Sequence, residues 1–352
     1  VLVSLRVRLL VGVALLAAVC AGAAPAGAKL PPSRPVTIAW GGDTTLGSSY
    51  GRPPDRGWPL LRGIAPLLGA ADISAVNNEG TYGSGGTSKC GSGSSNCFAF
   101  QAPAANAATL KRAGVDIANL ANNHAYDYGA SGRAQTVRAL AKQGIPTTGA
   151  PGQITLLHRP GVTVAFVGFS AYHWTASITN LAGVRSLVRR ARKRANLVVA
   201  FVHAGAEGAD QIHTPNRDEV AFGEHRGNVR AFAHTAVDAG ADLVLGSGPH
   251  VLRGMEVYKR RLIAYSLGNL AGYKNFGTGG NLSLSGILRA TVDGTGRILA
   301  ARLESLRLDG TAIPHVDRTH AAARLVSSVS RSDFGRRGVS ITAGGAVVLP
   351  GG

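Results

Sequence analysis

From Val36 to about Leu245 the chain alternates short apolar, β-branched runs with longer stretches whose apolar residues recur at helical spacing. The short runs read as buried strands and the longer ones as helices with one apolar face. Strands are predicted at Val36–Trp40, Ile73–Val76, Val115–Leu120, Val162–Phe169, Leu197–Val202 and Leu243–Leu245. Helices are predicted at Leu60–Ala70, Ala104–Ala113, Ser131–Gln143, Val184–Ala195 and Val229–Ala239. Gly114, Gly144 and Gly240 follow the ends of three of these helices, where a residue free to adopt positive φ stops a helix. Strand and helix in alternation predict an α/β architecture.

After Pro249 the pattern changes to paired strands separated by turn residues. Val251–Tyr258 and Leu262–Ser266 bracket a Lys-Arg-Arg turn, Leu284–Val292 and Ile298–Leu306 bracket Asp293 to Gly296, and Val339–Thr342 and Ala346–Leu349 bracket Gly344-Gly345. No linker separates this β-rich tail from what precedes it. The expectation is one domain over 29–352, with a core at 36–310 and a β-rich extension at 311–352. In it the C-terminal hairpins add a second sheet against the first, with helices outside.

The first 28 residues read as a secretory signal, with Arg6 and Arg8 before an apolar centre and Ala26-Gly27-Ala28 as the cleavage site. The apolar stretch is shorter than the roughly 20 residues a spanning helix needs, and an uncleaved anchor is the alternative. Loss of this segment removes Cys20 and leaves Cys90 and Cys97, in KCGSGSSNC. In an exported chain that pair reads as one disulfide stapling the long Gly/Ser loop from Gly83 to Ser95; paired zinc thiolates are the weaker option. The formal charge of +18 favours anionic partners, whether polymer or membrane surface. The densest basic run, Arg189 to Arg194, also suits a solvated helix end, and no aromatic-interleaved basic motif supports nucleic-acid binding.

Candidate chemistry collects just after predicted strands, where ligands of α/β proteins bind. Asp43 follows VTIAW, Glu79 follows ISAV, Asn123 and His124 follow VDIANL, His203 follows LVVAFV, and His250 follows DLVLG. Singly, Asp43 fits a cap or turn, His203 a bonded core histidine, Asn122 and Asn123 a turn, and His250 packing after Pro249. Together, carboxylate, carboxamide and imidazole are the set that holds divalent manganese, iron or zinc. Ser170 lacks the flanking glycine of a nucleophile elbow, and Gly41, Gly42 and Gly47 form no dinucleotide fingerprint. His213, His225, His234, His315 and His320 show no spacing that favours a further metal site.

GGDTTLG, VNNEG, LANNHAYDYG, FVHAGAE and GADLVLGSGPHVLRGMEVYKRRLIAYSLGNL, in this order over Val36 to Leu270, resemble the poly-gamma-glutamate capsule biosynthesis (CapA) family, a branch of the calcineurin-like metallophosphoesterases. The resemblance implies a four-layer sandwich of two mixed β-sheets flanked by helices. It implies one or two divalent ions held by Asp43, Glu79, Asn123, His203 and His250. His124 would face the leaving group as acid, with Asp127 orienting it or capping the next helix. It further implies an exported or surface-associated protein of anionic polymer biosynthesis, acting on or with poly-gamma-glutamate beside membrane-bound synthesis machinery. Two positions depart from the superfamily pattern: Thr45 stands where a histidine is expected, and Gly248 falls in the element that usually carries another. Glu207, Asp127 or water is then needed to complete coordination. The readings are therefore a metal-dependent hydrolase using an activated water, a polymer-binding accessory factor with a degenerate metal site, or a secreted phosphodiesterase.

Overall fold

Alternation along the long strands decides the layering. Successive side chains of a strand point to opposite faces, and in Val162–Ser170 both faces are apolar. Val162, Val164 and Phe166 enter one core cluster, while Ala165, Val167 and Phe169 enter another. Leu197–His203 divides the same way, with Leu197, Val199 and Phe201 against Val198, Ala200 and Val202. These strands therefore lie in a sheet covered on both sides.

The computed structural model describes residues 34–91 and 97–351; the expected signal segment lies outside them. One sheet has eight strands, in the order Pro314–Val316, Ile298–Leu308, Leu284–Val292, Val36–Thr45, Ile73–Asn78, Ile117–Asn119 and Thr147–Thr148, with Asn269–Gly272 also pairing to Val36–Thr45. The other has seven, in the order Met255–Tyr258, Arg261–Ala264, Leu243–Ser247, Leu197–His203, Val162–Ser170 and Thr155–Arg159, with Ala176–Ser177 added to Val162–Ser170. Each sheet mixes parallel and antiparallel pairs.

Between the sheets, Trp40 stacks on Phe201 with centroids 4.6 Å apart, and its Nε1 donates to the Gly246 carbonyl at 3.0 Å. Removing a ring of that kind from a packed core costs about 3–5 kcal/mol, so Trp40 pins one sheet to the other. Outside the first sheet, Leu60, Leu68, Leu110 and Leu140 bring the Trp58–Leu61, Ala65–Gly69, Ala107–Arg112 and Gly129–Lys142 helices onto Ala39, Val76 and Ala118. Outside the second, Leu181–Arg192 and Val229–Ala239 bury Val184, Val188, Phe232 and Ala236. The result is the expected four layers: helices, sheet, sheet, helices.

Local signals set the helix limits. Asn228 accepts from the Ala231 N–H, and Gly240 at φ +113° ends the helix, so Val229–Ala239 matches the expectation. The helix whose apolar face is expected at Val184–Ala195 runs Leu181–Arg192, opened by the Asn180 side chain, which accepts from Gly183, and ending within the basic run. That expected at Leu60–Ala70 is two short helices, each with a proline in its first turn.

Three further expectations are corrected. The C-terminal hairpins do not all join the second sheet: Met255–Tyr258 with Arg261–Ala264 lies at its edge, but Leu284–Val292 with Ile298–Leu308 joins the first, pairing Val292 with Val36, and Ser340–Ile341 with Val347–Val348 forms a separate pair. The second sheet is founded instead on the parallel strands Val162–Ser170, Leu197–His203 and Leu243–Ser247. Hydrophobic periodicity reports which face is buried, not which strand lies alongside. In the next hairpin, Lys259 and Arg260 form a two-residue turn, both at positive φ, and Arg261 already belongs to the strand. Finally, the stretch 311–352 contains a 14-residue helix, Ala321–Phe334, besides short strands. Its Ala322 and Val326 close one end of the inter-sheet core, and its serines had masked the apolar spacing.

Among the described residues no helix is long and apolar enough to cross a membrane. Cys90 and Cys97 are joined in a disulfide.

Candidate metal centre

A bulge brings the first carboxylate into place. Val36–Thr45 pairs in step with Ile73–Asn78 up to Trp40 and slips before Asp43. Gly42 sits at φ +78°, and a Cβ there would lie 2.5 Å from the Gly268 carbonyl oxygen. The second glycine of WGGD is thus required by the bend that turns Asp43 into the space between the sheets. Glu79 follows Ile73–Asn78, Asn123 and His124 follow Ile117–Asn119, His203 ends Leu197–His203, and His250 follows Leu243–Ser247 with φ +60°. All six side chains stand at carboxyl ends of strands, and the two sheets face each other there.

The structure brings four of them together. Asp43 Oδ1 lies 3.5 Å from His203 Nδ1, Asp43 Oδ2 lies 3.3 Å from His250 Nδ1, and Glu79 Oε1 lies 3.4 Å from His203 Nε2. Asp43, Glu79 and His250 each offer one ligand atom, and these atoms fall within 4.8 Å of one another. Among the described residues, both Glu79 oxygens, His203 Nε2 and, outside the four, Asn123 Oδ1 are buried without a hydrogen-bond partner. Leaving a buried polar atom unpaired costs about 1–3 kcal/mol, and more for a charged group. The unpartnered polar atoms of Glu79 and His203, 3.4 Å apart beside Asp43 and His250, fit a divalent cation, and carboxylate and imidazole donors suit manganese, iron or zinc.

The surrounding bonds fix these groups. Asn77 Nδ2 donates to Asp43 Oδ1 at 2.7 Å and lies 3.0 Å from His203 Nδ1, while its Oδ1 accepts from Asn119 and Asn122. This amide hub escaped the sequence reading because Asn77 and Asn78 look like a strand exit. Its only signal was the doubled asparagine before Glu79. His250 Nδ1 is also 2.7 Å from Asn269 Oδ1, which orients the ring.

His124 stands apart from the ligand cluster. Its Nδ1 is 2.8 Å from Asp127 Oδ2, its ring packs on Phe100, and Asp127 also pairs with Lys89 at 2.7 Å and accepts from the Phe100 N–H. Asp127 is therefore engaged by these groups, and not placed to complete a metal shell. Glu207 does reach the site: its Oε2 is 3.6 Å from His250 Nε2 and its Oε1 is held by Arg226 at 2.5 Å. The two departures serve the backbone. Thr45 Oγ1 accepts from the Gly47 N–H, and Gly248, at φ +116°, donates its N–H to Asp43 Oδ2. A Cβ on Gly248 would lie 2.8 Å from the Ala204 nitrogen, which leaves no room for an imidazole.

The protonation balance shows a site short of positive charge. Burial raises Asp43, but hydrogen bonds and charge from His203 and His250 outweigh it and hold Asp43 well below the usual carboxylate range. Burial, reinforced by the Asp43 charge, pushes Glu79 well above that range. Burial lowers His250, yet Glu79, Asp43 and Glu207 together drive it up to about 10. His124 is lowered by burial, against the pull of Asp127.

These carboxylate, amide and imidazole groups gather at strand ends between the two sheets of a four-layer α/β sandwich. The chain belongs to the PGA_cap family of bacterial capsule synthesis proteins, whose family model matches residues 37–274. It is 33% identical over 180 residues to the capsule biosynthesis protein CapA of Bacillus anthracis, covering 46% of this chain and 41% of that one. It is 34% identical over 177 residues to the PGA biosynthesis protein CapA of Bacillus subtilis strain 168, covering 46% and 43%. The chain thus spans less than half the length of these two relatives. A probable polyglutamine synthesis accessory protein of Mycobacterium tuberculosis H37Rv is 29% identical over 296 residues, covering 76% of this chain and 74% of that one.

Proposed function

We propose that this protein is an exported, metal-dependent hydrolase of an anionic cell-surface polymer, poly-gamma-glutamate being the leading substrate. The observation that carries the reading is the set of unpartnered atoms, both Glu79 oxygens and His203 Nε2, beside Asp43 and His250. Asp43, Glu79, Asn123, His203 and His250 would hold the ion, with Glu207 next in reach. When bound, a divalent ion there supplies a water of lowered pKa and polarises the bond under attack.

The chain's own residues do the rest. Asp127, held by Lys89 and the Phe100 N–H, fixes the His124 ring through Nδ1 and stabilises the imidazolium, the form whose Nε2–H would give a proton to the departing group. Asn77 holds Asp43 and His203 in register, so the donors need little rearrangement on loading. The positive charge of the chain as a whole favours a polyanionic substrate.

The test is metal content followed by product analysis. The purified protein, loaded with manganese, iron or zinc in turn and desalted, should retain close to one or two equivalents and shorten poly-gamma-glutamate. Less than a tenth of an equivalent of every metal would reject the hydrolase. Thr45 and Gly248, which use backbone bonds where the superfamily places imidazoles, favour the second reading, a polymer-binding accessory factor. Retained metal with polymer binding but no chain shortening would select it.

A further inference from the structure

The cleft above the centre has two lobes, one of mixed and one of mainly apolar lining, that share Phe98, His124, Glu207 and Phe222. The mixed lobe, about 360 Å³, is walled by Lys89, Asn123, Glu224 and Arg226 together with Tyr172 and Trp174. Arg226 is buried there against Glu207 and Glu224. The second lobe, about 220 Å³, is walled by Phe100, Phe276 and Leu282 with His250, Asn269 and Asn275. Its phenyl rings pack on the two histidines of the site, Phe100 on His124 at 4.5 Å and Phe276 on His250 at 5.5 Å.

Two large rings stand over the junction at a cost. Phe222 is 84% exposed and Phe98 is 47% exposed. Phe222 tops the turn joining Glu219–Ala221 to Glu224–Gly227 and holds φ at +52°, a backbone conformation that bulky residues avoid. An exposed aromatic side chain kept in an unfavourable conformation at the mouth of a cleft is a feature that the fold alone does not require. Phe98 approaches from the other side, directly after the Cys90–Cys97 bond.

We propose that the lobe between Phe98, Phe222, Phe276 and Leu282 is a substrate subsite for a methylene-rich portion of the ligand, adjoining the bond on which the centre acts. The ligand is therefore amphipathic, with polar groups beside Lys89 and Arg226 and an apolar segment against the phenyl rings. A γ-linked glutamyl chain has that composition, because two methylenes separate each carboxylate-bearing carbon from the next amide. The reference to a reacting bond rests on the hydrolase reading; the apolar subsite does not.

The experiment measures binding, so that the two readings fail separately. Titration of the full-length, metal-loaded protein with anilinonaphthalene sulfonate, an anionic aromatic dye, should show one saturable site, displaced by oligo-γ-glutamate. Phe222→Ala and Phe276→Ala should each weaken dye binding at least fivefold, whereas Leu299→Ser, at an exposed apolar residue elsewhere, should leave it unchanged. Because Phe222 is so exposed, its replacement does not threaten the fold. Unchanged affinity in both phenylalanine variants, or an equal loss in Leu299→Ser, would overturn the subsite. Failure of oligo-γ-glutamate to displace the dye, with displacement by an aromatic phosphodiester, would overturn the methylene-chain subsite. Absence of bound metal with dye binding intact would instead reject the hydrolase and keep the subsite.

Discussion

Glu79 and Glu219 are one residue type at nearly one depth, 0% and 5% exposed, yet their surroundings differ entirely. Glu219 receives Arg253 Nη1 and Nη2 at 2.9 and 2.7 Å and the Ala206 N–H at 3.1 Å, so each oxygen is satisfied from within the chain. Among the described residues Glu79 has no hydrogen bond at either oxygen, the nearest group being His203 Nε2 at 3.4 Å, and it faces a second carboxylate. A buried charge that the fold has paired holds the fold, in this case the 204–227 excursion that carries Glu207. A buried charge left unpaired is a liability unless something else arrives to pair it.

The comparison breaks most easily at these two positions. Glu219→Ala leaves Arg253 buried without its partner and should cost about 3–5 kcal/mol, read as a large fall in melting temperature. Glu79→Gln should do the reverse in metal-free protein. The Glu79 pKa is raised by burial and by Asp43, so folding is penalised increasingly as pH rises above the unfolded value of 4.5. At neutral pH the metal-free variant should therefore melt no lower than the parent, while its bound metal is lost. A lower melting temperature without metal loss would make Glu79 a structural residue like Glu219.

A second contrast lies between the ligand cluster and His124. Replacing His124 by Ala should lower turnover by about 10²–10⁴ and leave metal content nearly unchanged, whereas His250→Ala should empty the site. Metal loss in the first variant, or full occupancy in the second, would exchange their roles. Smaller still, Cys97→Ser opens the short ring beside the cleft and should cost about 2 kcal/mol, and an unchanged melting temperature would show the bond to be dispensable.

The smallest effect tests the carboxylates that are satisfied locally. Asp309 accepts from the Thr311 hydroxyl and from the Thr311 and Ile313 N–H groups. Asp293 makes the same set with Thr295 and Arg297. Slight burial raises both, but these bonds prevail and hold each at about 2, below the usual 3.8. Their contribution is complete above the unfolded value and is lost as pH falls from about 4 through about 2. Thermal melts of Asp309→Asn between pH 5 and pH 2 should show a shallower decline than the parent, and parallel curves would remove these turns from the acid response.

Much of this was legible locally. Asn228 and Gly240 mark the limits of Val229–Ala239, and apolar runs ending in Asp43, His203 and His250 announced that chemistry-bearing groups leave strands together. Less legible was the role of Asn77, whose bonds join four segments distant in sequence. Gly248 read as a missing ligand, and only the Ala204 backbone beside it explains why no side chain fits.

Period and punctuation in the chain determined the α/β class, most of the helices and the residues that stand at strand ends, because those depend on neighbours a few positions away. Tertiary structure alone decided which sheet each strand joined, and which of two buried glutamates was paired. Both depend on partners brought near by packing, and an amino-acid pattern carries no record of distance through space.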